Sequence, residues 1–434
     1  MKKVFSILMI TILVLSAASL FAGGQQEAAA TGEDIVLHWR TRPDNQEEIA
    51  VYQSISDQIS AELDGITLVY EPGGSETSSY QDVLKTELVS GTAPDLFWIP
   101  GTDIADFVKR DLLLDMREVA DKTDHKDSDF YPGPMYHMTY NPKTGKAGEA
   151  LWGIPRDVST FALYLNLDLI AEAGAPDPRV LAEQGKWTWD AFYQVMAAIS
   201  ALGDDVYGYG QSAWWGPAGV WSHAGGGGFY NDDRTASMMH TKGSLAGLEF
   251  QQKFYSAGYA TPWGEDPEPP FRAGKVGMFQ NGRWATPGMR SGVDFDWDVV
   301  ELPKGPSGSA RNWLFWGAYV VNKNTPNAEA AFKLLQKLTS AEVQAQIAEL
   351  GANIPSRKSQ DALDAFLTFT PPANNQAFLN GLADNPVAEG PLWKGSWPEF
   401  DSILGAKMAS VLLGEMSIDD FAGSIQDELD KTFE

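Results

Sequence analysis

The 434-residue sequence predicts an α/β protein of open, mostly parallel sheets with helices on both faces. Three observations carry that prediction. Short β-branched and aromatic runs alternate with helix-length amphipathic stretches from residue 35 onward. Gly, Pro and Asn punctuate the junctions between them. Apolar residues make up 44% of the chain, enough for a sizeable core and too many for a disordered one. The length favours two or three domains.

Taken in order, the chain opens with an address. Lys2 and Lys3 precede the apolar run VFSILMITILVLSAASLF, which ends in Ala22-Gly23-Gly24. This is the pattern of a signal peptide, read over 1–22, and the polar segment 23–32 then serves as a flexible linker. The apolar run approaches spanning length, so a membrane anchor is the other reading; the small residues at its end favour cleavage. No later segment approaches about 20 uninterrupted apolar residues, so an exported, soluble product is expected.

IVLHW (35–39) reads as a first strand, with Asp44 as the N-cap of a helix whose inner stripe is Ile49, Tyr52, Ile55, Ile59 and Leu63. ITLVY is a second strand. Tyr80, Val83, Leu84 and Leu88 mark a second helix closed by Gly91, and DLFWI is a third strand. Strand, helix, strand, helix, strand implies a parallel sheet. Residues 121–148 are polar and less ordered in pattern. LWGIP, FALYLN, WDVVELP and FWGAYVVN read as further strands. Helical patterns cover 189–202, 245–257 and 327–338, and another runs from Ser340 to Gly351. A last helix, capped by Ser417, turns Ile418, Phe421, Ile425 and Leu429 inward. In FRAGKVGMFQNGRW, an apolar run (276–279) stops at Asn281-Gly282, a turn signal, and Arg283 and Trp284 follow.

Open sheets of this kind bind ligands beyond the carboxyl ends of their strands. Arg42, Asp44, Trp98, Asp157, Arg283 and Trp284 all fall at such places. The composition excludes other chemistries. A formal net charge of −26 disfavours nucleic acid and anionic membranes as partners. The absence of cysteine excludes disulfides, thiolate metal sites, a cysteine nucleophile and N-terminal lipid attachment. No nucleophile-elbow, zincin or Walker motif occurs, and the five histidines lack metal-ligand spacing, so neither a metal nor a cofactor is expected. The acidic run 121–129 lacks the glycine and closing glutamate of a calcium loop and reads as a solvated loop. Gly225–Gly228 reads as a flexible turn. Carboxylates are plentiful, and a glycosidase needs only two at about 5–10 Å, a separation the sequence cannot supply.

Fifteen tryptophans remain. Trp98, Trp214, Trp215, Trp284, Trp393 and Trp397 sit beside Gly, Pro or charged residues, not inside apolar runs. An indole face suits the C–H face of a pyranose, and neighbouring charged side chains take its hydroxyl groups. Filling a core is the plainer use of tryptophan, and it is the one expected of Trp187 and Trp189 ahead of their helix.

By these segments the sequence resembles extracellular solute-binding proteins of bacterial ABC importers, in the carbohydrate-binding group that includes the maltose-binding protein. SGTAPDLFWI, LWGIPRDVSTFALYLNLDLIAEAG followed by TWDAF, FRAGKVGMFQNGRW, and the run from WDVVELPKGPSG to GANIPSR occur in the family's order and spacing. The resemblance implies a two-lobed periplasmic-binding-protein fold of type II with the ligand cleft between the lobes. It implies an N-terminal lobe of 33–155 plus 312–352 and a C-terminal lobe of 156–311 plus 353–434. It implies a periplasmic monomer that binds without catalysis and hands its sugar to membrane permease subunits. Trp98, Asp157, Trp214 or Trp215, Trp284 and Trp397 match family ligand positions. Arg40, Arg42 and Asp44 lie at the family's polar position after the first strand, where other residue types are usual. Arg283, Trp316 and Trp393 complete the candidate ligand-binding set. The arginines suit an acidic or phosphate-bearing solute, or else pair internally with Asp44 and Asp157. A binding protein for a glycerol phosphate, polyol or sugar acid, and a secreted glycoside-active enzyme, are the alternatives.

Overall fold

The computed structural model describes residues 34–43, 46–74, 77–349, 351 and 353–433. The leader and linker read over 1–32, and Asp44 with its capping role, lie outside the described residues.

The described strands form two sheets. In chain order they are β1 (Ile35–Thr41), β2 (Ile66–Pro72), β3 (Leu96–Pro100), β4 (Gly153–Ser159), β5 (Phe161–Asn166) and β6 (Tyr207–Gln211). There follow β7 (Val276–Gly282), β8 (Trp297–Val300), β9 (Trp313–Val321), β10 (Ile354–Pro355) and β11 (Val387–Ala388). The first sheet has the order β10-β4-β9-β3-β1-β2, with β11 beside β9; the second has β6-β7-β5-β8. Parallel pairing holds for β1 with β2 and β3, for β6 with β7 and for β11 with β9. The remaining pairings are antiparallel, so the sheets are mixed and not mostly parallel. The cause is the chain path. β4 leaves the first sheet for the second and β9 returns from it, so these two must run in opposite directions.

Helices cover both sheets because their apolar residues recur at helical spacing. Tyr52, Ile55 and Ile59 of helix Gln46–Glu62 are buried against the first sheet. Phe421, Ile425 and Leu429 of helix Ile418–Asp430 are buried in the second core against neighbouring helices, and the Asp420 amide donates to Ser417 Oγ at 3.1 Å to cap it. Trp187 and Trp189 anchor helix Trp189–Ser200 as core residues, with Trp189 stacked on Phe250 at 4.5 Å. Two hydrophobic cores result, and Trp284 packs against both.

Two local expectations are corrected. Asn281-Gly282 is not a turn: β7 runs through it, pairing Gly282 with Phe161. Gly225–Gly228 does turn, at Gly225 and Gly226, but the turn is closely packed and not loose. A side chain at Gly225 or Gly227 would strike the Gly243–Ser244 backbone, so these glycines let two helices meet closely.

The crossings between sheets are tightly knit. β4 passes into β5 through Thr160, whose hydroxyl donates to the Phe378 carbonyl at 2.7 Å. Asn312, at the end of the return loop, accepts from the Phe161 amide at 3.1 Å and donates to the Phe161 carbonyl at 2.7 Å.

Candidate ligand-binding site

Strand direction brings the candidate residues to one place. β1, β3 and β4 end, and β9 begins, on the edge of the first sheet that faces the second. β6, β7 and β8 end, and β5 begins, on the facing edge of the second. Arg42, Trp98, Asp157 and Trp316 therefore lie on one side of the meeting line, and Trp214, Trp215, Arg283 and Trp284 on the other.

Four of these tryptophans share a device. Trp98 lies over Gly317, Trp316 over Gly101, Trp214 over Gly216 and Trp284 over Gly282, each so closely that a Cβ on the glycine would come within 3.0 Å of the ring. Gly282 has φ −78, which any residue adopts, so space and not backbone conformation requires glycine there. This explains why Asn281-Gly282 precedes Trp284 without making a turn: the glycine is the seat of the indole.

The rings fall into three groups. Phe315 is the hub of the first, with Phe161 at 4.7 Å, Trp284 at 5.5 Å, and Trp214 and Trp215 each at 5.8 Å. Trp215 meets Trp313 and Trp397 edge-on, both at 5.0 Å. Trp214 is 36% exposed, and Trp215 and Trp284 are half-buried, so this wall presents aromatic surface. In the second group His137 stacks on Trp316 at 6.2 Å, Trp393 donates from Nε1 to His137 Nδ1 at 3.1 Å, and Tyr140 stacks on Trp393 at 4.7 Å. The third is Trp98, beside Tyr80 and approached by Arg42 at 5.4 Å and Arg156 at 5.2 Å. Trp98 and Trp397 are mostly enclosed, one in each core, so the structure does not join them directly; Trp284 is the ring that touches both cores.

The arginines differ from one another. Arg40 is turned to the flank of the first sheet, where it pairs with Glu71 at 2.8 Å and with Glu87. It is not brought to the tryptophans, because its side chain leaves the strand on the side of the helix that carries Glu87. Asp157 is held by its neighbour Arg156, whose Nε donates at 2.8 Å, and not by Arg40 or Arg283. The Arg283 guanidinium is also turned away from the meeting line, toward Asn375 at 2.6 Å. Sequence reasoning missed two carboxyl groups, Glu389 beside Trp316 and Asp103 near enough to Glu389 to act on its charge. Glu389 accepts the Trp316 amide at 3.3 Å on Oε2, and its carbonyl accepts Trp316 Nε1 at 2.8 Å. Burial, with Asp103 adding to it, pushes Glu389 up to about 8, and burial pushes Asp103 itself up to about 6. Burial thus favours the neutral, protonated form of Glu389, the form that can donate a hydrogen bond.

A family model described as bacterial extracellular solute-binding protein matches residues 54–370, most of the chain. The chain belongs to that family. Solute-binding proteins of this kind are binding proteins and not enzymes, and they act outside the cytoplasm. Among curated relatives, this one is 25% identical over 378 residues to a putative binding protein of Brucella abortus (strain 2308), covering 84% of this chain and 85% of that one. It is 24% identical over 313 residues to the galactooligosaccharide-binding protein of Bacillus subtilis (strain 168), covering 70% and 68%. Its fold matches an ABC substrate-binding protein from Listeria monocytogenes in complex with cycloalternan, with TM-score 0.80, 18% identity and coverage of 92% and 99%. It also matches UgpB from Mycobacterium tuberculosis in complex with glycerophosphocholine, with TM-score 0.77, 16% identity and coverage of 91% and 97%. The two-lobed fold of this solute-binding protein is thereby established. Among the described residues no helix is long and apolar enough to cross a membrane.

Besides Glu389 and Asp103, sequence reasoning missed Phe161, Trp313 and Phe315 as the floor of the aromatic wall. The signal was present for Phe315. It stands near the start of a strand, beside a tryptophan followed by glycine. Glu389 carried no signal, because its burial depends on residues 387–397 crossing over Trp316.

Proposed function

We propose that this solute-binding protein is the exported sugar-capturing component of an ABC importer. It takes a mono- or oligosaccharide between its lobes and delivers it to the membrane permease by hinge closure. The observation that carries this reading is the aromatic wall of Trp214, Trp215 and Trp284 at the strand ends of the second sheet, its outward rings seated on glycine. Flat aromatic faces suit the apolar C–H face of a sugar ring. The cycloalternan bound by the Listeria protein and the galactooligosaccharide named for the Bacillus relative agree with it.

Each lobe offers half a site. A ligand that touches both favours the closed state, and that difference in contact drives closure. A micromolar affinity corresponds to about −8 kcal/mol, within reach of a few stacked rings and charge-assisted hydrogen bonds. The leader is cleaved on export, and without a cysteine the mature protein is free in the periplasm as a monomer. A non-sugar solute is the second reading. It is favoured by the two guanidinium groups beside Trp98 and by the glycerophosphocholine bound by UgpB, but the Arg156 charge is already met by Asp157.

A thermal-shift screen against neutral oligosaccharides, uronic acids and sugar phosphates tests the reading, because a ligand of the folded state raises the melting temperature. A neutral sugar should give the largest rise and no new product on prolonged incubation. A response confined to phosphates or acids would favour the second reading, and turnover would make the protein an enzyme.

A further inference from the structure

Arg234 occupies a position whose backbone argues against it. Its loop, 229–241, belongs to the second lobe. Phe229 and Met239 lie in the second core, and the Ser237 amide donates to Asp430 Oδ1 at 2.7 Å. The Arg234 amide closes a turn on the Asn231 carbonyl at 2.9 Å, and Arg234 takes φ 50. That left-handed conformation suits glycine and is disfavoured for arginine. What the residue supplies there is its side chain. The guanidinium lies over the Tyr230 ring at 4.6 Å, and it donates to the Ala388 carbonyl at 2.8 Å and the Pro391 carbonyl at 3.2 Å.

The acceptors lie along the other lobe, on the strap 387–395. Val387 and Ala388 pair with Trp313 and Leu314 of β9, and the Glu389 amide donates to the Leu314 carbonyl at 2.9 Å. Trp393 is held by His137 and Tyr140. Lys109 Nζ, at the end of helix Ile104–Lys109, donates to the Leu392 and Gly395 carbonyls at 3.3 and 2.7 Å. The chain rejoins the second lobe at Ser396, whose amide donates to the Thr432 carbonyl at 2.8 Å and whose side chain caps helix Trp397–Leu412. The Arg234 bonds therefore cross from one lobe to the other. Gly390 makes room for them, since a Cβ there would come within 3.0 Å of Arg234 Nη1 and His137 Nε2.

We propose that Arg234 is a positioning residue for closure: it ties the second lobe to the strap on the first and so sets how long the closed state lasts. This rests on the reading that the lobes hinge. The two ends of each bond ride on different lobes, so opening must break both. A charged donor holds a carbonyl more firmly than a neutral one, and the planar fork of arginine engages two carbonyls at once.

The chain has no cysteine, so Val89→Cys on the first lobe and Leu413→Cys on the second, both exposed, give two clean spin-label sites. Pulsed electron spin resonance then reads the interlobe distance, free and with galactooligosaccharide or cycloalternan. Stopped-flow tryptophan emission reads the rates. Arg234→Gly, which relieves the backbone, should melt within about 3 °C of the wild type. It should release bound sugar about 10-fold faster with association changed less than about two-fold, and should move the distances away from those of the sugar-bound wild type. Gly390→Ala, which displaces the same contact from the strap side, should act in the same direction, and it carries the test if Arg234→Gly does not fold. Wild-type distances and release rates in the variants overturn the proposal. If neither sugar binds the wild type, the sugar reading loses support on its own and the free protein decides: a distance population lost in Arg234→Gly supports the tie, and an unchanged distribution overturns it.

Discussion

Gly282→Ala tests the glycine-seat argument most sharply. The backbone at Gly282 has φ −78 and ψ 175, so alanine is not strained there. Replacing glycine at a compatible site even stabilises by about 0.4–1 kcal/mol through the unfolded chain. The added methyl, however, would lie within 3.0 Å of three ring atoms of Trp284. Either the ring holds its place, at an overpacking cost of about 1–3 kcal/mol, or it swings away. Trp284 is half-buried and has room on one side, so swinging is the cheaper response. Stability should then change by less than about 1 kcal/mol, while one aromatic platform is lost. A ring contact contributes about 0.5–1.5 kcal/mol beyond its buried area, so affinity should fall about 2- to 12-fold. Calorimetric titration with the sugar found by thermal screening gives the affinity, and tryptophan emission reports the ring. Wild-type affinity with lowered stability would refute the reasoning, because the indole would have kept its place at the cost of packing without serving a ligand.

Other perturbations follow from the same geometry. Trp284→Ala should weaken sugar binding at least as much as Gly282→Ala while leaving the melting transition cooperative; unchanged affinity in titration would remove this ring from the site. Arg40→Met should cost no more than about 1 kcal/mol in denaturant unfolding, because its ion pairs are partly solvated, and should leave sugar affinity unchanged. Asn312→Ala strands the buried amide and carbonyl of Phe161, at about 1–3 kcal/mol for each, which denaturant melts should resolve. Glu389 has its folded-state pKa raised from an ordinary 4.5 to about 8, so the folded protein binds the extra proton. Its contribution to stability is present below about pH 4.5 and is lost as pH rises toward 8. Glu389→Gln should flatten that decline in thermal melts across the same window.

The sequence made the elements legible and left their meeting point implicit. Strand and helix positions followed from periodicity, since Leu37 and Trp39 alternate inward and Phe421, Ile425 and Leu429 recur every fourth residue. The sheets proved mixed because crossing between lobes reverses a strand, which no local pattern encodes. Trp284 and Trp214 were recognisable from nearby glycine, and Trp284 from its arginine neighbour as well. Arg40 and Arg283 were not, because the same residue type marks a ligand contact, a flank ion pair or a buried cation. Which one it is depends on Glu87 or Asn375, far away in sequence. Glu389 depended on burial by a distant segment and was invisible for the same reason.

Solution scattering of the wild-type protein, with and without its cognate sugar, addresses most directly the claim that two hinged lobes grip a carbohydrate. A smaller radius of gyration in the saturated protein is the expected result. A bound sugar that leaves the radius unchanged would contradict closure as the means of capture.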